Sequence, residues 1–186
     1  MAELVMAPNP AVWQVVPGLS DAAAWYERQI AAAPEAAREA VAGASALALR
    51  ARLDTELSQV LLLCDPPAEL YAMLGIAALD GVPAPETAAG AVGVAESLVA
   101  SPWPAEALPF DLDGVRGWRV TILDEQDAGG DDQVALPQTV SSVYVMSVDG
   151  RCVVATLSSL PPLAAAVVQV LAEQVIATFG VEEDAR

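Results

Sequence analysis

The run VSSVYVMSVDGRCVVATLSS, residues 140–159, constrains this chain more than any other stretch. Two β-prone segments flank Asp149-Gly150, a dipeptide suited to the two-residue turn of a β-hairpin because both central positions of that turn need positive φ. With those residues at the turn, Val148 faces Arg151, Met146 faces Val153 and Tyr144 faces Ala155 on one side of the ribbon. Val143, Val145, Cys152, Val154 and Thr156 fall on the other side. A strand pair with one wet face alternates apolar and polar residues. This pair is largely apolar on both faces, so it belongs in the middle of a sheet covered on both sides.

A cover is present in the following segment, SSLPPLAAAVVQVLAEQVIATFG. Cap and proline signals at residues 159–162 start a helix, and Gly180 sits where a C-terminal cap falls. Leu163, Val167, Val168, Val170, Leu171, Val175 and Phe179 are read as its sheet-facing side, with Gln169 and Glu173 marking solvent and Gln174 an exception. Burying five such aliphatic side chains contributes on the order of 10 kcal/mol gross, so truncation near Ala165 is expected to prevent folding.

Upstream, AVWQVV reads as an edge strand, and Ser20 as the N-cap of a helix carrying an apolar stripe through Tyr26, Ile30, Ala33, Ala37, Val41 and Ala44. Pro34 breaks that helix's hydrogen-bond ladder, which predicts a kink or two abutting helices, and the pattern ends near Leu53. Residues 57–64 form a short buried strand closed by Asp65-Pro66-Pro67. Residues 68–79 fit either a helix capped by Asp65 or a strand; Gly75 and the Asp80-Gly81 exit turn favour the strand. A helix over 85–100 follows, then a short strand, an Asp113-Gly114 turn and a longer strand through Trp118, Val120 and Ile122. The sum is one α+β domain spanning residues 1–186, a mostly antiparallel sheet of five to seven strands flanked by helices on both faces, an α/β/α sandwich.

Composition narrows the chemistry. All eight basic residues are arginines (Arg28, Arg38, Arg50, Arg52, Arg116, Arg119, Arg151 and Arg186), and histidine is absent as well as lysine. Imidazole-activated nucleophiles, imidazole metal ligands, lysine Schiff bases and the phosphate-loop lysine are thereby excluded. Paired-carboxylate chemistry, an oxygen-ligand metal site and cofactor-borne reactions remain open. The net charge of -17 repels phosphate backbones and anionic headgroups, so neither nucleic acid nor a membrane is expected as partner. No apolar stretch approaches the ~20 residues of a membrane span, and the first ten residues lack a basic region or a cleavage pattern, which points to a cytoplasmic protein. Cys64 and Cys152 lie in apolar β-like runs and are read as buried, reduced thiols.

The candidate motifs each have a plainer reading. DEQDAGGDD lacks the spacing of a calcium loop and reads as a mobile, solvated acidic loop over 124–133. The DLDG at 111–114 reads as a turn, and Asp54 with Glu56 as solvated carboxylates at a helix end. Four tryptophans, Trp13, Trp25, Trp103 and Trp118, suit core or edge packing, with Trp103 between two prolines the one expected outside the core.

The segments WQVVPGLSD, VYVMSVDGRCVVATLSS and LAEQVIATFGV, in that order around strands and a crossover helix, resemble the small alanine-rich α/β proteins of high-GC bacteria, similar in plan to the PsbP-like sandwich. The resemblance implies a binding or assembly module without catalytic residues or cofactors, with type VII secretion as its setting. Combined with the charge, it yields the expectation of a non-catalytic protein-binding or accessory module whose acidic surface steers a basic partner. The residues expected at that contact are Trp103, Asp124, Glu125, Asp127, Asp131 and Asp132. An immunity-type inhibitor of a basic toxin and a small-molecule binder, with its pocket between the sheet and the helix from Pro85, are the alternatives.

Overall fold

The structure, a computed structural model, describes residues 3–55, 57–79, 81–124 and 138–182. Its strands are β1 (Glu3–Val5), β2 (Trp13–Val15), β3 (Gln59–Asp65), β4 (Leu70–Leu79), β5 (Glu106–Leu112), β6 (Val115–Asp124), β7 (Thr139–Val148), β8 (Arg151–Leu160) and β9 (Gly180–Glu182). The helices are α1 (Ala22–Ala32), α2 (Arg38–Asp54), α3 (Ala88–Leu98) and α4 (Pro162–Ile176). Strands β1 and β9 form a separate two-stranded ribbon, and the main sheet has seven strands in the order β2-β3-β4-β8-β7-β6-β5. Every neighbouring pair in it is antiparallel.

The chain makes this sheet as two meanders. The first, β2-β3-β4, grows inward from one edge; α3 then carries the chain to the far edge, and β5-β6-β7-β8 returns until β8 pairs with β4. The β7–β8 hairpin therefore occupies the interior, as its two apolar faces require. Its register pairs Val148 with Arg151, Met146 with Val153 and Tyr144 with Ala155. Asp149 and Gly150 both take positive φ (49° and 78°), and Asp113 and Gly114 do the same at the β5–β6 turn (50° and 93°).

On one face, α1 and α2 cover β3 through Trp25 and Ala48 against Val60 and Leu62. Beside them, Ala91 and Ala95 of α3 lie on Val120, Ile122, Val143, Val145, Cys152 and Val154. On the other face α4 packs Ala165, Val168, Ala172, Val175 and Ile176 over Leu74, Ile76, Tyr144, Met146, Val153 and Leu157. Trp13 Nε1 donates to the Leu171 carbonyl at 3.3 Å, which ties the β2 edge to this helix.

Several local expectations hold in modified form. Pro34 separates two abutting helices, with a 3-10 turn at Glu35–Ala37 between them. Asp21, not Ser20, stands at the N-cap of α1; it makes no side-chain cap bond there, and the Ser20 hydroxyl donates to its carboxylate. Thr87 caps α3, its side chain accepting from the Gly90 N–H at 3.2 Å. Residues 70–79 are strand. Both cysteines are free, Cys152 buried and Cys64 half-buried.

Both edges of the sheet discourage further pairing. Strand β2 has only three residues. In β5, the two-residue turn makes Leu112 and Val115 a hydrogen-bonded pair, so Phe110 and Leu108 also point their amides at β6 while Asp111, Pro109 and Ala107 point theirs outward. Pro109 has no N–H to offer, and the middle donor of this edge is thereby missing.

Candidate interaction surface

Helix α4 carries one ionisable side chain in fifteen residues, Glu173. That carboxylate turns inward: its Oε1 lies 2.7 Å from Arg119 Nη1 of β6 and accepts a hydrogen bond from the Tyr144 hydroxyl at 3.4 Å. One turn earlier, Gln169 Nε2 donates to Ser142 Oγ at 2.7 Å. The side chains of Arg119 and Glu173 are 28% and 23% exposed, and Arg119 Nε is buried with no hydrogen-bond partner. Tyr144 is wholly buried, with Phe110 packed edge-on at 5.9 Å between ring centroids. Burial pushes its phenol far above the ordinary value, the Glu173 charge pushes further the same way, and Arg119 opposes. Tyr144 is thus a neutral donor to Glu173. The three groups answer one another, and their chemistry is that of a clamp fixing α4 on β6 and β7.

This geometry rotates α4 away from part of its expected orientation: Val168, Val175 and Phe179 of the expected face are in the core and Leu171 packs against it, but three others are not. Gln169 and Glu173, read as solvent-facing, lie against the sheet, and Leu163, Val167 and Val170, read as sheet-facing, point to solvent with exposures of 81%, 50% and 56%. Val168 and Val175 are buried as expected. The reason is volume. The strands beneath supply Tyr144, Met146 and Leu157, and a helix over such bulk fits closely when Ala165 and Ala172 fill much of the contact line. Counting bulky residues widens the apolar face too far on a helix where Ala165 and Ala172 share the packing with Val168, Val175 and Ile176.

The outward stripe Leu163, Val167, Val170 and Gln174 runs at steps of four, three and four, the spacing of a coiled-coil seam. Ala166 lies beside it, also exposed. The other helices all expose charge: Glu27 and Arg28 on α1, Arg50 and Asp54 on α2, Glu96 on α3. Leu47 of α2 is as exposed as the α4 residues, at 63%, but it shares its helix with the Arg50–Asp54 ion pair. Sequence reading missed the α4 stripe. Its signal was the near absence of charge along α4, together with Glu173 falling on the Gln169 side.

Of the residues expected at a protein contact, Trp103 is 46% exposed in the loop before β5. Its backbone N–H donates to Ser101 Oγ at 3.1 Å, and the Ser101 hydroxyl in turn donates to the Leu123 carbonyl. Asp124 ends β6, paired with Thr139. The Asp124 side chain and all of Glu125, Asp127, Asp131 and Asp132 lie outside the described residues. Among the described residues no group of three carboxylates or thiols is placed to hold a metal ion. Asp111 accepts from the Gly114 N–H at 3.3 Å and pairs with Arg116 at 2.7 Å, as a turn residue does.

A cleft of about 570 Å³ borders the segment before α3 and is lined by Pro85, Pro109, Phe110, Arg116, Trp118 and Met146 among others. It lies close to where a ligand pocket was expected but opens to solvent, and its guanidinium, Arg116, is engaged by Asp111. No helix among the described residues is long and apolar enough to cross a membrane.

No family model matches the chain, and no curated protein matches it. Among solved structures it is similar to a protein of Bacteroides thetaiotaomicron VPI-5482, at 13% identity and a TM-score of 0.42 over 68% of this chain. The match spans 40% of that protein's chain.

Proposed function

We propose that this chain is a non-catalytic protein-binding or accessory module that receives its partner on the outer face of α4. The observation that carries the reading is the uncharged seam of Leu163, Val167 and Val170 on a protein of net charge -17, with the only charge of α4 turned away from solvent into Arg119. Isolated exposed leucines are ordinary; an aligned row without a neighbouring charge on its own helix is the kind of surface that a partner desiccates. Backbone pairing at a sheet edge is the weaker route, because Pro109 removes the central donor of β5. The acidic exterior makes phosphate backbones poor partners for the same electrostatic reason that it favours basic proteins.

The test is site-specific photo-crosslinking in lysate of the native host, with the reactive side chain placed at residue 170 and, as control, at residue 47. The expected result is a discrete heteromeric adduct from position 170, absent from 47 and lost when Val167→Asp is added. Equal adducts from both positions, or none from 170, would reject the assignment.

A further inference from the structure

We infer that the segment seated on α4 is an amphipathic α-helix of a partner protein whose apolar ridge is flanked by lysine and arginine. This rests on the docking reading above and adds the partner's chemistry. Three observations lead to it. The outward residues Leu163, Val167, Val170 and Gln174 follow a 4-3-4 spacing, which a second helix crossing at a shallow angle can interdigitate and an extended strand cannot. The positions beside the seam supply no charge of their own: Ala164, Ala166 and Leu171 are neutral, and Glu173 is spent on Arg119. Long-range electrostatics are therefore set by the body of the protein, with 25 acidic residues against eight basic ones, and that field draws in a cationic ridge.

A second copy of the chain is the poorer occupant. Pairing α4 with itself brings together two bodies that each carry a net charge of -17. A basic helix reverses the sign of the long-range term and can extend its ridge beyond the end of α4.

The probes are two synthetic helical peptides sharing one leucine heptad seam, one with lysine and one with glutamate at the flanking positions, titrated into the full chain labelled with 15N. The lysine peptide is expected to shift the α4 amides, with affinity falling roughly tenfold or more from low to physiological salt. The glutamate peptide is expected to bind at least tenfold more weakly. The Val167→Asp/Val170→Asp variant separates docking from simple adsorption, since it adds negative charge: non-specific attraction would strengthen, whereas seated binding is lost. Both positions are half exposed, so the variant keeps its fold, which circular dichroism verifies. Equal binding of the glutamate peptide at α4 would overturn the basic partner and leave the docking face standing. Lysine-peptide binding undiminished by the aspartate pair would overturn both. A dimer in sedimentation equilibrium that the aspartate pair dissociates would give the face to a second copy and overturn the inference.

Discussion

Replacing Glu173 with glutamine is the perturbation that best tests the inward turn of α4. The substitution keeps the size of the side chain and removes the charge opposite Arg119, 2.7 Å away. Breaking a fully buried ion pair by removing one partner costs roughly 3–5 kcal/mol, because the other charge is left without compensation. Here about a quarter of each side chain reaches solvent, at 28% and 23%, which lets water screen the orphaned guanidinium. Arg119 Nε already lacks a partner, so the protein has no spare acceptor for it among the described residues. Weighing these, the loss is about 2 kcal/mol, equivalent to a fall in Tm of about 4–8 °C for a domain of this size. Urea unfolding followed by tryptophan fluorescence reads it, since Trp13 and Trp25 are 2% and 5% exposed. Arg119→Met alone should cost a similar amount, and the double variant markedly less than the sum, with a coupling of about 1–2 kcal/mol. A Glu173→Gln protein within about 0.5 kcal/mol of the parent, or strict additivity in the cycle, would refute the clamp.

Two further outcomes follow from the same sheet. Gly117 faces Met146, and a Cβ there would sit 2.7 Å from the Met146 Cα and press on the Val145 carbonyl, so Gly117→Ala should destabilise by about 2–3 kcal/mol in the same assay. Tyr144 has its phenol raised by burial and by Glu173, so the folded state holds that proton after the unfolded chain has released it. The stabilisation is complete below the unfolded value of about 10 and declines as pH rises above it. Unfolding free energy should therefore fall in alkaline buffer, and Tyr144→Phe should flatten that fall; an unchanged slope would contradict it.

What the sequence disclosed, it disclosed locally. The central hairpin, its turn residues and its register were all legible because a two-residue turn fixes which side chains meet, and apolarity on both faces fixes the layer. The Asp113-Gly114 and Asp149-Gly150 hairpin turns were legible for the same conformational reason. The strand at 70–79, the break at Pro34 and the short edge strand at Trp13–Val15 followed from proline and glycine chemistry. The adjacency of β8 to β4 was not legible, because strand order depends on partners far apart in the chain. Nor was the β1–β9 ribbon, whose three-residue strands carry no period. The candidate surface was hidden because Leu163, Val167 and Val170 were assigned to the core side of α4, where Ala165 and Ala172 stand beside Val168, Val175 and Ile176. Of the proposed contact residues, only Trp103 could be placed with its side chain, and it stands apart from α4's contacts in the loop before β5.

The order in which the chain completes its sheet has a consequence for biosynthesis. Strand β4 leaves the ribosome well before β8, and roughly eighty residues of later sequence must emerge before its hydrogen-bonding edge finds the mate it keeps in the native protein. Until then the nascent polypeptide carries an unsatisfied template, with Leu74 and Ile76 unprotected on it. Most of the acidic residues lie after β4, so the growing chain becomes steadily more anionic during that interval, and mutual repulsion between such chains increasingly opposes their coalescence.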